Sequence, residues 1–108
     1  MAKLVILEPA QRELEEIAQI HMQLVGPNSA RHITNLILDT LTHLEMFPLS
    51  GHTPRDKELR NGGYRYAIAG KYICVYRLIA ETVYVYHIAH GASNYPTLFK
   101  GLLKEEPQ

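Results

Sequence analysis

This sequence is short of several things, and each shortage excludes something. Its single cysteine, Cys74, permits no internal disulfide, which fits a reducing cytoplasm. Lying inside a strand-like run, that thiol reads as buried and inert rather than nucleophilic. No apolar run approaches the roughly 20 residues that cross a membrane. The N-terminal run Leu4–Leu7 meets Glu8-Pro9 after four residues, too soon for a signal-peptide core. Repeats and low-complexity tracts are absent, and 108 residues suit one domain, 1–108, around one core. With 46% hydrophobic and 20% charged residues, the chain should fold rather than stay disordered.

Net charge is also missing: 11 basic residues balance 11 acidic ones. That argues against a strongly basic, salt-driven nucleic-acid binder. The distribution is uneven, however. Residues 1–47 hold three cations against six carboxylates, and residues 78–108 hold two against three. Between them, Arg55, Lys57, Arg60, Arg65, Lys71 and Arg77 face only Asp56 and Glu58. A basic middle on a neutral protein permits a local phosphate contact.

What is present is a tyrosine-rich stretch, Gly63–Tyr95, holding all seven tyrosines and two of the six histidines. Its β-rich runs Tyr64–Ala69, Tyr72–Ile79 and Thr82–Ala89 are broken by Ala69-Gly70-Lys71 and Ala80-Glu81, the pattern of two hairpins. Strict alternation puts Tyr72, Cys74, Tyr76 and Leu78 on one face of the middle strand. In the last strand it sets Val83, Val85, His87 and Ala89 against Tyr84, Tyr86, Ile88 and His90. Both faces are partly apolar, so something beyond one helical layer should cover the second: a partner, a ligand or the C-terminal segment.

Upstream, Lys3–Glu8 reads as a short strand, apolar on both faces and therefore covered. Pro9 opens a helix whose apolar positions are Leu14, Ile17, Ala18, His21, Leu24 and Val25. Gly26-Pro27 ends it. Asn28 or Ser29 caps a second helix, with Ile33, Leu36, Ile37, Thr40, Leu41 and Leu44 on its apolar face and a stop before Pro48. The short link makes the pair an antiparallel hairpin. His32, Asp39 and His43 fall on the solvated side. Pro48–Gly62 reads as an irregular surface connection with mobile cations Arg55, Lys57 and Arg60. Beyond Gly91, Tyr95–Leu103 reads as a short amphipathic turn or helix, and Glu105–Gln108 as a frayed tail.

The residues themselves resemble the RelE/ParE superfamily of bacterial type II toxins. Pro9, Ala10, Glu13 and Leu14 match its first helix. Leu44, Pro48 and Gly51 match the end of its second. Arg60 or Arg65, Tyr72 with Tyr76, and His90-Gly91 match its meander. The similarity runs over about residues 4–103. It implies an α+β fold of β-α-α-β-β-β order, with a helix hairpin packed on a mostly antiparallel sheet and a short C-terminal helix or turn.

The resemblance also implies a cytoplasmic toxin held silent by a cognate antitoxin, as in plasmid stabilisation modules. RelE-like members are mRNA interferases, metal-independent endoribonucleases that cut ribosome-bound mRNA. ParE-like members share the fold and poison DNA gyrase. Cleavage through the RNA's own 2′-OH needs a base, an acid and a cation on the phosphate. Three groups common in RelE-like proteins are replaced here, by Ile73, Ser93 and Phe99. The remaining catalytic candidates are His87, His90 and Tyr95, with Arg60, Arg65, Lys71 and Arg77 for RNA or phosphate; no metal or cofactor is expected. Ribosome-dependent mRNA cleavage is the first expectation. A non-catalytic gyrase inhibitor, or a degenerate toxin that retains only antitoxin binding, is the alternative.

Overall fold

The computed structural model describes residues 1–105. Strand β1 (Lys3–Ile6) leads into helices α1 (Glu8–Leu24) and α2 (Pro27–Met46). A short α3 (Lys57–Asn61) precedes strands β2 (Tyr64–Ala69), β3 (Tyr72–Ile79) and β4 (Thr82–His90), and α4 (Tyr95–Glu105) follows. The sheet order is β1-β4-β3-β2, parallel only between β1 and β4. Of the expected tail, Glu105 ends α4, and 106–108 lie outside the described residues.

The helix hairpin covers one face. Ile33, Ile37, Leu41 and Leu44 of α2 and Ala10 and Ile17 of α1 are buried against Ala67, Ala69, Cys74, Tyr76, Val83, Val85 and Ile88. Burying each large aliphatic side chain is worth roughly 1.5–3 kcal/mol, so this face dominates stability. Cys74 lies within it, completely buried, and burial pushes its thiol up to about 12. It is therefore inert, as its strand position suggested.

Several sequence expectations need correction. β1 is covered on one face only: Leu4 and Ile6 meet the core, while Val5 is exposed, because the second core, among the described residues, rests on β2, β3 and β4 and includes no β1 residue. Neither Asn28 nor Ser29 caps α2. Gly26, at φ 135°, occupies the cap position, so Asn28 and Ser29 already belong to the first turn. The segment 48–62 is not a free loop. Asp56 accepts the Leu59 N–H at 3.1 Å to cap α3, and Leu59 docks into a second core with Tyr64, Val75 and Phe99. Helices α3 and α4 thus cover the second face.

Alternation along β4 also fails. Tyr76 pairs with Val85 and Val75 with His87, so Tyr86 is an extra residue at a bulge. The bulge resets the alternation. Ile88 joins Val83 and Val85 against the helices, while His87 and Tyr86 both pack on Phe99 of α4.

The link from α2 to β2 is held by Tyr76, which is fully buried. Its hydroxyl donates to the Pro48 carbonyl at 2.8 Å and accepts from the Gly51 N–H at 3.0 Å. A Cβ at Gly51 would overlap the Tyr76 ring and come within 2.9 Å of the Tyr66 carbonyl oxygen. His52 then pairs with Tyr66 as an isolated bridge on the outer edge of β2. We expect Tyr76→Phe to cost about 1–3 kcal/mol, the penalty of leaving two backbone groups unpaired. Gly51→Ala should cost a similar amount through overpacking, roughly 1–3 kcal/mol. Urea unfolding of the two variants tests this; wild-type midpoints in both would show that the hydroxyl carries no such role.

Candidate functional site

Three places on the molecule carry the side chains singled out above. The first lies where β1 ends. Leu7 donates its N–H to Val85, after which the chain turns into α1. Among the described residues, the edge of β4 beyond that point has no strand partner. Glu13 of α1 fills the gap: its Oε1 accepts the Ile88 N–H at 2.9 Å. Its Oε2 lies in close contact with His87 Nδ1, without the alignment of a hydrogen bond. His87 is 4% exposed and stacks on Phe99 with ring centroids 5.8 Å apart. It is a packed residue that links α1, β4 and α4. Glu13 was legible only as a dipole-favouring acid near a helix start; its role across 75 residues of chain left no local signal.

The second place is the far end of the β2–β3 hairpin. His90 is exposed, sits edge-on to Tyr72 at 5.5 Å, and accepts the Ala92 N–H on Nδ1 at 3.1 Å. Lys71 lies in the adjoining turn and takes the Gly91 N–H on its carbonyl at 2.7 Å. Tyr72 in turn bonds His21 Nε2 at 3.1 Å, while His21 Nδ1 bonds Ser29 Oγ at 2.9 Å. This chain ties α1, α2 and β3 together. A groove of about 470 Å³ runs between α1 and β4, lined by Ile17, Ile20, Ile88, Leu98, His87 and His90, among others.

The third place is the opposite end of the sheet. Arg77 is clamped: its Nε and Nη2 donate to the Tyr86 hydroxyl at 3.2 and 2.9 Å, and its guanidinium lies 4.7 Å from the Tyr64 ring centre. Arg60 and Arg65 line a cavity of about 270 Å³ with Leu49, Thr53, Gly63, Tyr64 and Leu78. Arg65 donates to the carbonyls of Leu49 and Gly51 at 3.4 and 3.2 Å. Away from either end, Tyr95 at the start of α4 packs 5.9 Å from Tyr66, midway along β2. Burial first, then Tyr66 and Asp56, push its phenol above the usual range.

The candidates therefore fall into separate groups. Arg60 and Arg65 share one cavity and His87 and His90 another, with no residue common to the two linings. Where RelE-like proteins place polar groups, Ile73 and Phe99 are 6% and 2% exposed, and Phe99 is packed by Tyr64, Tyr86 and His87. Ser93 Oγ donates to the His90 carbonyl at 2.6 Å. On α2, Asp39 and His43 are exposed, and His52 joins them around a cavity of about 420 Å³. Among the described residues no group of three or more His, Cys, Asp or Glu is placed to hold a metal ion. Among the described residues no helix is long and apolar enough to cross a membrane.

A pair that sequence reading missed fixes α4. Lys100 Nζ lies 2.8 Å from Asp56 Oδ2. The Lys100 hydrogen bond first, then the Leu59 N–H, hold the Asp56 carboxyl below its ordinary 3.8, and Asp56 raises Lys100 above its ordinary 10.5. The depressed carboxyl contributes stability above pH 3.8 that is lost as pH falls through its lower folded value; the raised ammonium contributes below pH 10.5 and loses it as pH rises through its higher folded value. Asp56→Asn should therefore lie below wild type at neutral pH. The gap should begin to narrow as pH falls below about 3.8 and close once pH passes the lower folded value. Unfolding midpoints measured against pH check this, and a gap that persists unchanged into acid would contradict it.

Comparison with known proteins places these features. A family model described as the ParE toxin of the type II toxin–antitoxin system parDE matches residues 4–95. A structure of the chromosomal ParDE toxin–antitoxin system of P. aeruginosa superposes with a TM-score of 0.70 at 17% identity, covering 83% of this chain and 96% of that one. The RelBE2 toxin–antitoxin complex of Mycobacterium tuberculosis gives a TM-score of 0.61 at 22% identity, covering 82% and 96%. At such identities the likeness is one of fold. No curated protein matches the sequence. The family model spans most of the chain and takes in both helices, the Pro48–Gly51 link and the whole meander, so this chain belongs to the ParE family of type II toxin–antitoxin toxins.

Proposed function

We propose that this toxin acts by inhibiting DNA gyrase in the cytoplasm, without cutting mRNA, and that a cognate antitoxin holds it silent. The observation that carries the reading is the scatter of the groups RNA cleavage would need. A base, an acid and a phosphate-binding cation must meet at one scissile bond. Here His87 is buried against Glu13 and Phe99, Arg77 is clamped by two tyrosines, and Arg60 and Arg65 line a different cavity from His90; of the candidate cations only Lys71 lies beside His90, and Tyr95 is not among the residues lining that groove. The family model, built on ParE toxins, supports the same choice.

Purified gyrase supplied with saturating toxin should lose supercoiling activity, and transcripts mapped after induction should show no new ends. Unimpaired supercoiling would overturn the reading. His90→Ala, at the exposed histidine of the set, should still arrest growth. If wild type produced new mRNA ends and His90→Ala abolished them, mRNA cleavage would stand instead.

The antitoxin is expected on the groove between α1 and β4. Ile20 and Leu98 are 51% and 54% exposed there, and an amphipathic or extended segment suits such a surface. Ile20→Glu should weaken the toxin–antitoxin complex at least tenfold, about 1.4 kcal/mol, with the toxin's own melting curve unchanged. Calorimetric titration with the antitoxin reads this directly, and an unaltered affinity would move the contact elsewhere.

A further inference from the structure

The chain leaves α2 through an apolar run that the two cores do not use. Met46, Phe47 and Leu49 are 61%, 53% and 60% exposed, with Pro48 between them. Apolar side chains scattered singly over a surface are ordinary; a contiguous run rimmed by charge marks a surface that meets another molecule. The run is also held still. Tyr76 donates its hydroxyl to the Pro48 carbonyl at 2.8 Å, and Arg65 donates to the Leu49 carbonyl at 3.4 Å. A ridge fixed before contact loses little freedom on contact.

The ridge stands between two cavities that share one wall residue, Leu78. On one side, Met46 and Pro48 line a cavity of about 280 Å³ with Glu45 and Glu81. On the other, Leu49 lines the cavity of about 270 Å³ with Arg60 and Arg65. Among the described residues neither carboxylate has a cation within 4.0 Å, and neither guanidinium a carboxylate. The surface therefore runs from two acids, across an apolar ridge, to two bases. It lies at the Leu78 end of β3, and none of its lining residues belongs to the groove between α1 and β4, which starts from Tyr72 at the other end of that strand.

That order limits what can cover it. A polyanion would meet Glu45 and Glu81, and a peptide of one charge sign suits one flank only. A second copy of the chain suits both. A two-fold axis lying in the contact plane, along the ridge, lays ridge against ridge and turns each acidic flank onto the other copy's basic flank. One patch then satisfies itself twice, which is the character of an isologous contact. We propose that this chain associates with a second copy of itself through the Met46–Leu49 ridge, with Glu45 and Glu81 of each copy facing Arg60 and Arg65 of the other. Self-association of this kind is independent of the choice of protein target and leaves the antitoxin groove open.

Sedimentation velocity of the full chain between about 1 and 100 μM, the span of micromolar affinity, tests this. A dimer that grows with concentration is expected, and a monomer throughout overturns it. Leu49→Glu should weaken the dimer by about tenfold or more with the melting curve unchanged, because Leu49 is exposed and outside both cores. Should Leu49→Glu fail to fold, Met46→Glu carries the same test from the other side of the ridge. Glu81→Arg and Arg60→Glu should each weaken association. Mixed in equal amounts, those two variants should associate more strongly than either alone, because an intact basic flank then meets an intact acidic one. Ile20→Glu, in the antitoxin groove, should leave the dimer as it is. Association that neither ridge variant weakens, or that mixing the charge variants does not strengthen, overturns the two-fold contact. A chain that stays monomeric and loses gyrase inhibition through Leu49→Glu would give the face to the protein target instead.

Discussion

The hydroxyl of Tyr76 is the constraint on which the second half of this fold depends. It lies fully buried between the helical layer and the sheet, and it satisfies two backbone groups of the link that leaves α2. A buried N–H and C=O without partners would each carry a desolvation cost of roughly 1–3 kcal/mol. Proline and glycine, three residues apart, let the link turn closely around that one oxygen. From there the chain pairs His52 with Tyr66, places Arg65 against the Leu49 and Gly51 carbonyls, and delivers α3 to the second core. The motif positions Leu44, Pro48, Gly51 and Tyr76 thus form one physical unit. Leu44 anchors the helix end, and the other three close the turn.

The opposite edge is organised by electrostatics instead of by shape. β1 is too short to cover β4, so Glu13 supplies the missing acceptor and keeps His87 against its second oxygen. The Tyr86 bulge turns His87 away from the alternation and under Phe99. A charge pair also holds α4, where Lys100 lies 2.8 Å from Asp56, with the exposed Glu58 at 4.0 Å. Apart from Arg12 and Glu8 within α1, the charge contacts among the described residues run between elements. The cations of residues 48–77 are divided: Arg60 and Arg65 line one cavity, while Lys71 lies at the other end of the sheet.

Much of the architecture was legible because its causes are local. Apolar spacing marked the two helices, Gly26-Pro27 their junction, and two short breaks the hairpins; Gly70 and Ala80 adopt φ of 60° and 55° at those breaks. The loss of usual RelE-like groups was also legible, since Ile73 and Phe99 carry no polar atom in their side chains. Neither α3 nor the β4 bulge was. Five residues of helix leave too little periodicity to read, and nothing in Tyr84-Val85-Tyr86-His87 distinguishes a regular strand from one with an extra residue. The candidate site was read as one set of histidines, tyrosines and cations. Its members turned out to be distributed over three places, because sequence proximity says little about which face or end of a sheet a residue reaches.

The sequence by itself determined the order of β1, the two long helices and the three-strand meander, the burial of Cys74 and the basic middle, each from residue type and short-range spacing. Its motif residues carried the resemblance to the toxin superfamily. Only the tertiary structure decided that His87 packs instead of facing a substrate, that Arg77 is held by two aromatic rings, and that Arg60 and Arg65 are left without carboxylates. Those outcomes depend on Glu13, Tyr64, Tyr86 and Lys100, partners from 9 to 74 positions away. Long-range pairing of this kind is set by how layers stack, and no local pattern encodes it.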